Sequence, residues 1–310
     1  MDTGARKHMK LSLLVSSLDK CKICGSEKLS VVGEVKEFNR FFKEYYEQLS
    51  QSKTMQCNEC GFLANSSEVQ LTKEVLTELY SIDYFSSHGE IQASKNLYEK
   101  RRFLALARKA IDKNLNGLSL LDIGCGAGEY LKIGSDLGMS VTGYDVHSSI
   151  EEYLTKTYKF KVVTGNLDEN TFNEGSFDVI VLSHVIEHLN DPKLMVKNIH
   201  KFLKKDGILV LTMPNPNALI DNIVSFAKRV ISKQRGDTRL TPYITPFHIN
   251  GFSLKSTRFM LLERGFQIKH LGVISGLSWT DSNLVFVKKI IRILGYLMGR
   301  GAAIICIAQK

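Results

Sequence analysis

The sequence predicts an α/β protein: a doubly wound, Rossmann-like sheet of seven mostly parallel strands, with a small cysteine-bearing module ahead of it. Three observations predict this. Ser119–Leu131 reads as a buried strand, a glycine loop and the start of a helix. From there to the C-terminus, apolar segments of strand length alternate with amphipathic segments of helical period, the pattern of a parallel sheet with helices on both faces. Two Cys-x-x-Cys pairs, Cys21/Cys24 and Cys57/Cys60, precede that alternation.

Taken in order, residues 1–9 read as a start outside the fold, with Met9 as a second candidate initiator, and residues 10–85 as the cysteine module. Met1–Lys10 lacks the uninterrupted apolar core of a secretory signal, and no run of 18 apolar residues occurs anywhere. The expected compartment is therefore reducing and cytoplasmic, where paired cysteines bind metal more often than they form disulfides. Two residues between cysteines let both thiolates reach one ion from a single turn. Gly25 and Gly61, just after each pair, permit the tight backbone this requires. Cys21, Cys24, Cys57 and Cys60 would give zinc its tetrahedral thiolate set; a redox pair or unligated thiols are the alternatives. A closed four-cysteine site has no open position for water, so its expected role is structural. The long gap between the knuckles is expected to hold a helix over Phe38–Leu49, and Thr72 is expected to cap another that runs toward Phe85.

The core is expected over 86–310. Residues 86–116 read mainly as a helix with Leu97, Leu104, Ala107 and Ile111 on one face, closed by Asn116-Gly117. The expected strands are Leu118–Ile123, Met139–Tyr144, Phe160–Thr164, Phe177–Leu182, Ile208–Met213, Phe266–Val273 and Ala302–Ala308. Asp191-Pro192 starts a helix that buries Met195, Ile199 and Phe202, and Asp206-Gly207 turns into the fifth strand. Residues 216–246 do not fit the simple alternation. Lys228, Arg229, Lys233, Arg235 and Arg239 stand there against Asp221 and Asp237, which suggests a basic lid or a solvated insertion. Residues 284–298 read as a core-packing helix rather than a membrane-surface one.

In open α/β sheets, ligands sit beyond the carboxyl ends of the strands. That rule puts Gly124, Gly126 and Gly128, Asp145, Asn166–Asp168, Ser183–His188 and Pro214-Asn215 on one rim. A glycine pattern alone does not name a ligand, but the charge around it narrows the choice. Asp122 and Glu129 flank the loop, and no Lys or Arg follows before Lys132. A pyrophosphate would be repelled there; an ammonium and a sulfonium would be welcome, which points to S-adenosylmethionine (SAM). Asp145, at the end of the second strand, can accept both ribose hydroxyls of SAM or of NAD.

At these residues the chain resembles the class I SAM-dependent methyltransferases. The likeness continues through Gly165–Glu169, Gly175–Leu189 and Leu203–Asn215. With the two knuckles and the Leu79-Tyr80…Asp83-Tyr84-Phe85 stretch, it resembles the zinc-ribbon-bearing bacterial members of that group, relatives of sugar C- and O-methyltransferases. The resemblance implies that Asp122 and the glycines meet the methionine part, Asp145 the ribose, and Asn166, Leu167 and Asp168 the adenine, with Ser183 on the same rim. Many members carry an acid immediately after the third strand, where this chain has Gly165-Asn166, so the adenine partner stays open. Cys125 in the loop reads as a small packing residue rather than a nucleophile. The segment Pro246–Ser253 is similar to the family's His…Phe-Ser stretch that faces the acceptor.

Methyl transfer asks the protein mainly to orient and desolvate the reactants. A hydroxyl or carbon acceptor also needs a base, and His184 and His248 are the candidates; a structural histidine is the alternative for each. By resemblance the acceptor is a sugar, a nucleotide-linked or lipid-linked saccharide, or another small metabolite. The net charge of +9 suits acidic partners, RNA among them, or simply a solvated basic surface. An RNA methyltransferase is a rival without an aromatic–basic RNA motif. A non-catalytic zinc-knuckle binding protein and a dehydrogenase on the same fold are further rivals. His184-Val185-Ile186-Glu187-His188 also matches the His-x-x-Glu-His pattern of certain zinc peptidases, but it abuts a strand among cofactor segments.

Overall fold

In the computed structural model, residues 18–34, 53–66, 99–223, 248–275 and 285–310 are described. The expected helices over Phe38–Leu49 and after Thr72, and all the basic residues of the expected lid, lie outside them.

The chain begins with strands β1 (Leu29–Glu34), β2 (Lys53–Cys57) and β3 (Leu63–Asn65). Helix α1 follows over 99–111, buries Leu104 and Ala107 as its periodicity predicts, and ends before Gly117. The alternation then runs β4 (Ser119–Ile123), α2 (Glu129–Asp136), β5 (Ser140–Asp145), α3 (Ser148–Tyr158), β6 (Lys161–Thr164), β7 (Phe177–Ser183), α4 (Pro192–Phe202) and β8 (Leu203–Pro214). It closes with β9 (Asn250–Gly251), α5 (Leu254–Glu263), β10 (Gln267–Ile274), α6 (Val285–Leu297) and β11 (Ala303–Gln309).

The main sheet has the order β10-β11-β8-β7-β4-β5-β6. Strands β8, β7, β4, β5 and β6 are parallel, and β11 runs antiparallel between β8 and β10. All seven strands expected from the sequence are present, each displaced by at most a residue or two except β8. That strand starts five residues early, at Leu203. Asp206-Gly207 is a kink inside it: Asp206 has φ +64°, and the pairing with β7 shifts between Phe177 and Val179.

The period of two divides each strand between two cores. Leu121 and Ile123 of β4, and Leu209, Leu211 and Met213 of β8, face one cluster with Phe202 and Phe252. Leu120, Ile208 and Val210 face the other, with Leu104, Leu131 and Leu154. Asp191 caps α4 by accepting from the Leu194 amide at 2.9 Å, with Pro192 in the first turn, as its sequence signature implies.

The cysteine module does not close on itself. Its sheet, β1-β2-β3-β9, takes its fourth strand from Asn250–Gly251, far along the chain. Ile23, Phe62 and Ala64 belong to the same buried cluster as Phe252, Met260 and Leu261, and the Phe62 and Phe252 rings meet edge to face at 5.2 Å. The segment shares the core of the larger domain.

Helix α6 departs from its expected core-packing role. It is held where Gly295 meets the Arg300 carbonyl, yet Ile290, Ile293, Leu294 and Leu297 are exposed, Leu297 at 72%. An apolar stripe reveals that a face seeks cover but not what covers it. Among the described residues no helix is long and apolar enough to cross a membrane.

Candidate active site

The glycine loop joins β4 to α2. Gly124 has φ +73°, and a Cβ there would stand 2.4 Å from Val185 Cγ2; at Gly128, φ +76°, it would stand 2.6 Å from Leu154 Cδ2. At these two positions glycine is required by close packing and by left-handed backbone. Asp145 ties the loop to the end of β5: its carboxylate accepts from the Gly126 amide at 3.1 Å and from the His147 amide at 3.2 Å. Burial raises the Asp145 carboxyl, against the pull of those amides.

Asp122 lies buried beneath the loop. Burial pushes its carboxyl up to about 7, with the Lys100 ammonium opposing and the Asp145 charge adding to the rise. Lys100 is the residue that sequence reasoning missed. It reaches in from α1, forms an ion pair with Glu129, stands 5.1 Å over the Tyr130 ring, and is lowered by burial to about 8. The rim therefore carries both signs, where the sequence order suggested an acidic loop with no cation before Lys132. Lys100 precedes the loop, and only the packing of α1 brings it there.

The remaining rim residues are ordered by short local bonds. Leu167 packs against the main core, while Asn166 and Asp168 are exposed. The Asp168 carboxylate accepts from the Asn170 amide at 2.8 Å and so caps its own turn. Ser183 Oγ pairs with Thr212 Oγ1 at 2.8 Å across β7 and β8. Cys125 is buried with its thiol raised chiefly by that burial; its Sγ fills the space over Gly143, in keeping with a packing role.

The part of the rim expected to face the acceptor is built where β7 ends. His184 has φ +56°, uncommon for a residue with a Cβ, and is held there by its amide donating to the Thr212 carbonyl at 2.9 Å. One 3-10 turn, Ile186–His188, then brings Glu187 inward until it is 2% exposed. Glu187 Oε1 is 3.4 Å from His184 Nδ1 and 3.8 Å from His188 Nε2. Burial raises the Glu187 carboxyl, but the hydrogen bond from His184 and the nearby histidines outweigh it and hold it at about 2. His248 arrives from the other end of the sequence, its ring centroid 4.8 Å from that of His188. The Ile249 amide donates to the Glu187 carbonyl at 2.9 Å, and Asn250 Nδ2 to the Leu189 carbonyl at 2.6 Å, which pins the two segments together. The structure thus gathers His184 and His248 around Glu187 and His188. The sequence signals for Glu187 were its place in Ser183–His188 on the rim and the His-x-x-Glu-His pattern.

The two knuckles have the same backbone design. Gly25 and Gly61 lie at φ +72° and +71°, and their amides donate to the Cys21 and Cys57 carbonyls. All four Sγ atoms lie within 4.8 Å of one another, with Cys21–Cys60 at 3.6 Å and Cys24–Cys57 at 3.5 Å. A disulfide requires about 2.05 Å, whereas a tetrahedron with bonds of about 2.3 Å to zinc spaces its sulfurs about 3.8 Å apart. The donor set and spacing fit a structural zinc.

A family model described as "Methyltransferase domain" matches residues 94–271. The mitochondrial ubiquinone biosynthesis O-methyltransferase of Rattus norvegicus is 33% identical over 119 residues, 34% of each chain. A probable S-adenosylmethionine-dependent methyltransferase of Mycolicibacterium smegmatis is 26% identical over 186 residues, 59% of this chain and 65% of its own. The chain thus spans between about a third and two thirds of the length of these curated relatives. A chain from the solved complex of the Haloferax volcanii Trm112 methyltransferase activator has a similar fold, with a TM-score of 0.50 over 73% of this chain and 96% of its own at 16% identity.

Proposed function

The chain belongs to the methyltransferase-domain family, and from that premise we propose that it moves a methyl group from SAM to a hydroxyl of a small molecule, with carbon as the second choice of target. The observation that carries this reading is the mixed charge of the rim: Asp122 and Glu129 against Lys100, beside the Asp145 carboxylate. The methionyl end of SAM is a zwitterion, and opposite charges side by side on one rim suit an ammonium and a carboxylate together. Bound SAM would supply an electrophilic methyl carbon and a neutral thioether leaving group.

The chain's own residues do the rest. Asp145 accepts the ribose hydroxyls, exchanging its bonds to loop amides for them. Leu167 offers an apolar face to the adenine, with Asn166 and Asp168 at its edge. Lys100 and Asp122 orient the methionyl group. His184, half exposed beside the Glu187 carboxylate, takes the acceptor's proton; the carboxylate stabilises the imidazolium that forms. His248 closes the acceptor side. The relatives named as O-methyltransferases support oxygen as the target atom. A saccharide, free or linked to a nucleotide or lipid, is our proposed acceptor class, on the likeness of the two-knuckle sequence to sugar methyltransferases. The thiolate knuckles suit zinc and a reducing, cytoplasmic setting.

Titration calorimetry with SAM and with NAD tests the reading: SAM binds and NAD does not. Asp145→Ala weakens SAM on the order of 100-fold, as expected for losing hydrogen bonds to a charged group. A preference for NAD would overturn the proposal. A screen of cell extracts for SAM-dependent mass gain of one methylene identifies the acceptor.

A further inference from the structure

We propose that α6 is a docking surface for an anionic lipid bilayer, lying flat on the headgroups with its outward apolar face among the acyl chains. A surface helix of a globular domain ordinarily turns its apolar stripe inward; α6 turns it outward. Ile290, Ile293, Leu294 and Leu297 fall at the spacing of one helical face, and all four are exposed, as is Met298 just beyond. The opposite side meets the domain: Gly295 is buried, with Leu219 Cβ and the Arg300 carbonyl against it, and Ile291 and Arg292 are half-buried. The helix has 13 residues and so spans about 20 Å, too short for a hydrocarbon core of about 30 Å. A helix of this kind lies in the interface and does not cross it.

The stripe alone does not name its cover; the charges beside it do. From Ser282 to Arg300 the sequence has no Asp or Glu, against Lys288, Lys289, Arg292 and Arg300. Arg292 is met by Asp221 and Glu99 from neighbouring segments. Lys289 is exposed, and Tyr296, seven residues on and also exposed, shares its edge of the helix. A cation on a long apolar stem beside a ring with a polar tip suits the headgroup level, where the ammonium reaches anionic phosphates. A second copy of this chain fits less well, because a two-fold pairing of α6 on α6 brings together two cationic helices with no acid of their own. The helix also stands beside the rim. Arg300 Nε donates to the Asn217 carbonyl at 3.1 Å, the Leu219 amide to the Arg300 carbonyl at 2.9 Å, and Asn215 Nδ2 to the Gly301 carbonyl at 2.7 Å. Those bonds fix the end of α6 to the segment that leaves the carboxyl end of β8. A bilayer under α6 therefore borders the rim, and an acceptor carried on a lipid arrives there from the membrane; that last step alone rests on the methyl-transfer reading.

The test uses the full chain loaded with zinc and two kinds of vesicle, phosphatidylcholine alone and phosphatidylcholine mixed with phosphatidylglycerol, with flotation as the readout. The wild type floats with the mixed vesicles and binds the neutral ones on the order of 10-fold more weakly, a difference that raised salt removes. Leu294→Gln combined with Leu297→Gln weakens binding on the order of 10- to 100-fold. Lys289→Glu weakens it on the order of 10-fold, on the mixed vesicles only. All three side chains are exposed, so Tm is unchanged. Leu262→Gln, at an exposed leucine of α5, leaves binding as it was. The proposal is overturned by a wild type that floats with neither vesicle, by equal binding to both, or by a double variant that floats like the wild type. A Leu262 variant that weakens binding as much as the double variant also overturns it. A chain that ignores vesicles but sediments as a dimer, broken by the double variant, assigns α6 to a second copy instead. SAM calorimetry on the same samples keeps the two readings apart. Vesicle binding without SAM binding removes the methyl-transfer reading and leaves the docking surface; SAM binding without vesicle binding does the reverse.

Discussion

Two clusters of ligand-type side chains lie at the two ends of one short segment, residues 248–253. At one end Ser253 Oγ donates to the Cys60 carbonyl at 2.6 Å, beneath the cysteine knuckles. At the other, His248 stands against His188, and Ile249 is bonded to Glu187. Between them β9 pairs with β3, so one small sheet joins the cysteine module to the segment that carries His248. The knuckle cluster is repetitive, local and closed: each pair comes from a single turn with a left-handed glycine. The histidine cluster is irregular and long-range, and it carries a non-glycine residue at φ +56° and a buried carboxylate. A regular motif and a strained one are thus joined by a single segment, which places the first where it can brace the second.

The comparison breaks most decisively at the cysteines. Replacing Cys21 and Cys57 by Ser, or stripping the metal with a chelator, should cost about 5 kcal/mol or more of stability. Because Ile23 and Phe62 share a core with Phe252 and Met260, a single cooperative melt should shift down as one; calorimetry that shows an unchanged Tm would mean that the knuckles brace nothing. Glu187→Gln should tilt the other way: a smaller fall in Tm than the cysteine changes cause, but a loss of turnover on the order of 100- to 1000-fold, about 3–4 kcal/mol of barrier. A variant that melts early yet turns over normally would make Glu187 a structural residue.

Ser253→Ala tests the brace between the two. The serine caps α5 by accepting from the Ser256 amide at 3.0 Å and also bonds the knuckle, so its loss should cost about 1–2 kcal/mol in chemical denaturation. A value near zero would uncouple the module from the site. A separate effect is a pH slope from the glycine loop, which belongs to neither cluster. Asp122 has its folded value raised to about 7, above its ordinary 3.8. The folded chain thus holds a proton that the unfolded chain has released, so stability should fall as pH rises from about 4 to about 7, then level off. SAM, bringing an ammonium, should bind more tightly as pH rises through that range and release a proton. Asp122→Asn should flatten both trends, read by denaturation and by calorimetry in buffers of different ionisation heat.

Much of this was legible in the sequence, for reasons visible at particular residues. The seven strands announced themselves by apolar runs such as Val179–Leu182 and Leu209–Met213, the start of α4 by Asp191-Pro192, and the knuckles by two-residue spacings. Each is a local rule in which a residue's neighbours set its backbone. Lys100, by contrast, is separated from Glu129 by a helix and a strand, and nothing near it in the chain marks it as a rim residue. Glu187 looked like part of a peptidase pattern, because a spacing does not state which side chains turn inward.

By itself, the sequence determined which segments are strands, where the backbone must turn through glycine, and which four thiols can share one ion. Those depend on backbone sterics and on reach within a few residues. Only the tertiary structure decided that the rim carries a cation as well as carboxylates, that the fourth strand of the cysteine module comes from beyond residue 249, and that His248 meets His188 and Glu187. Electrostatic and ligand geometry fall off over a few ångströms of space, and distance along the chain does not measure that space until both cores have packed.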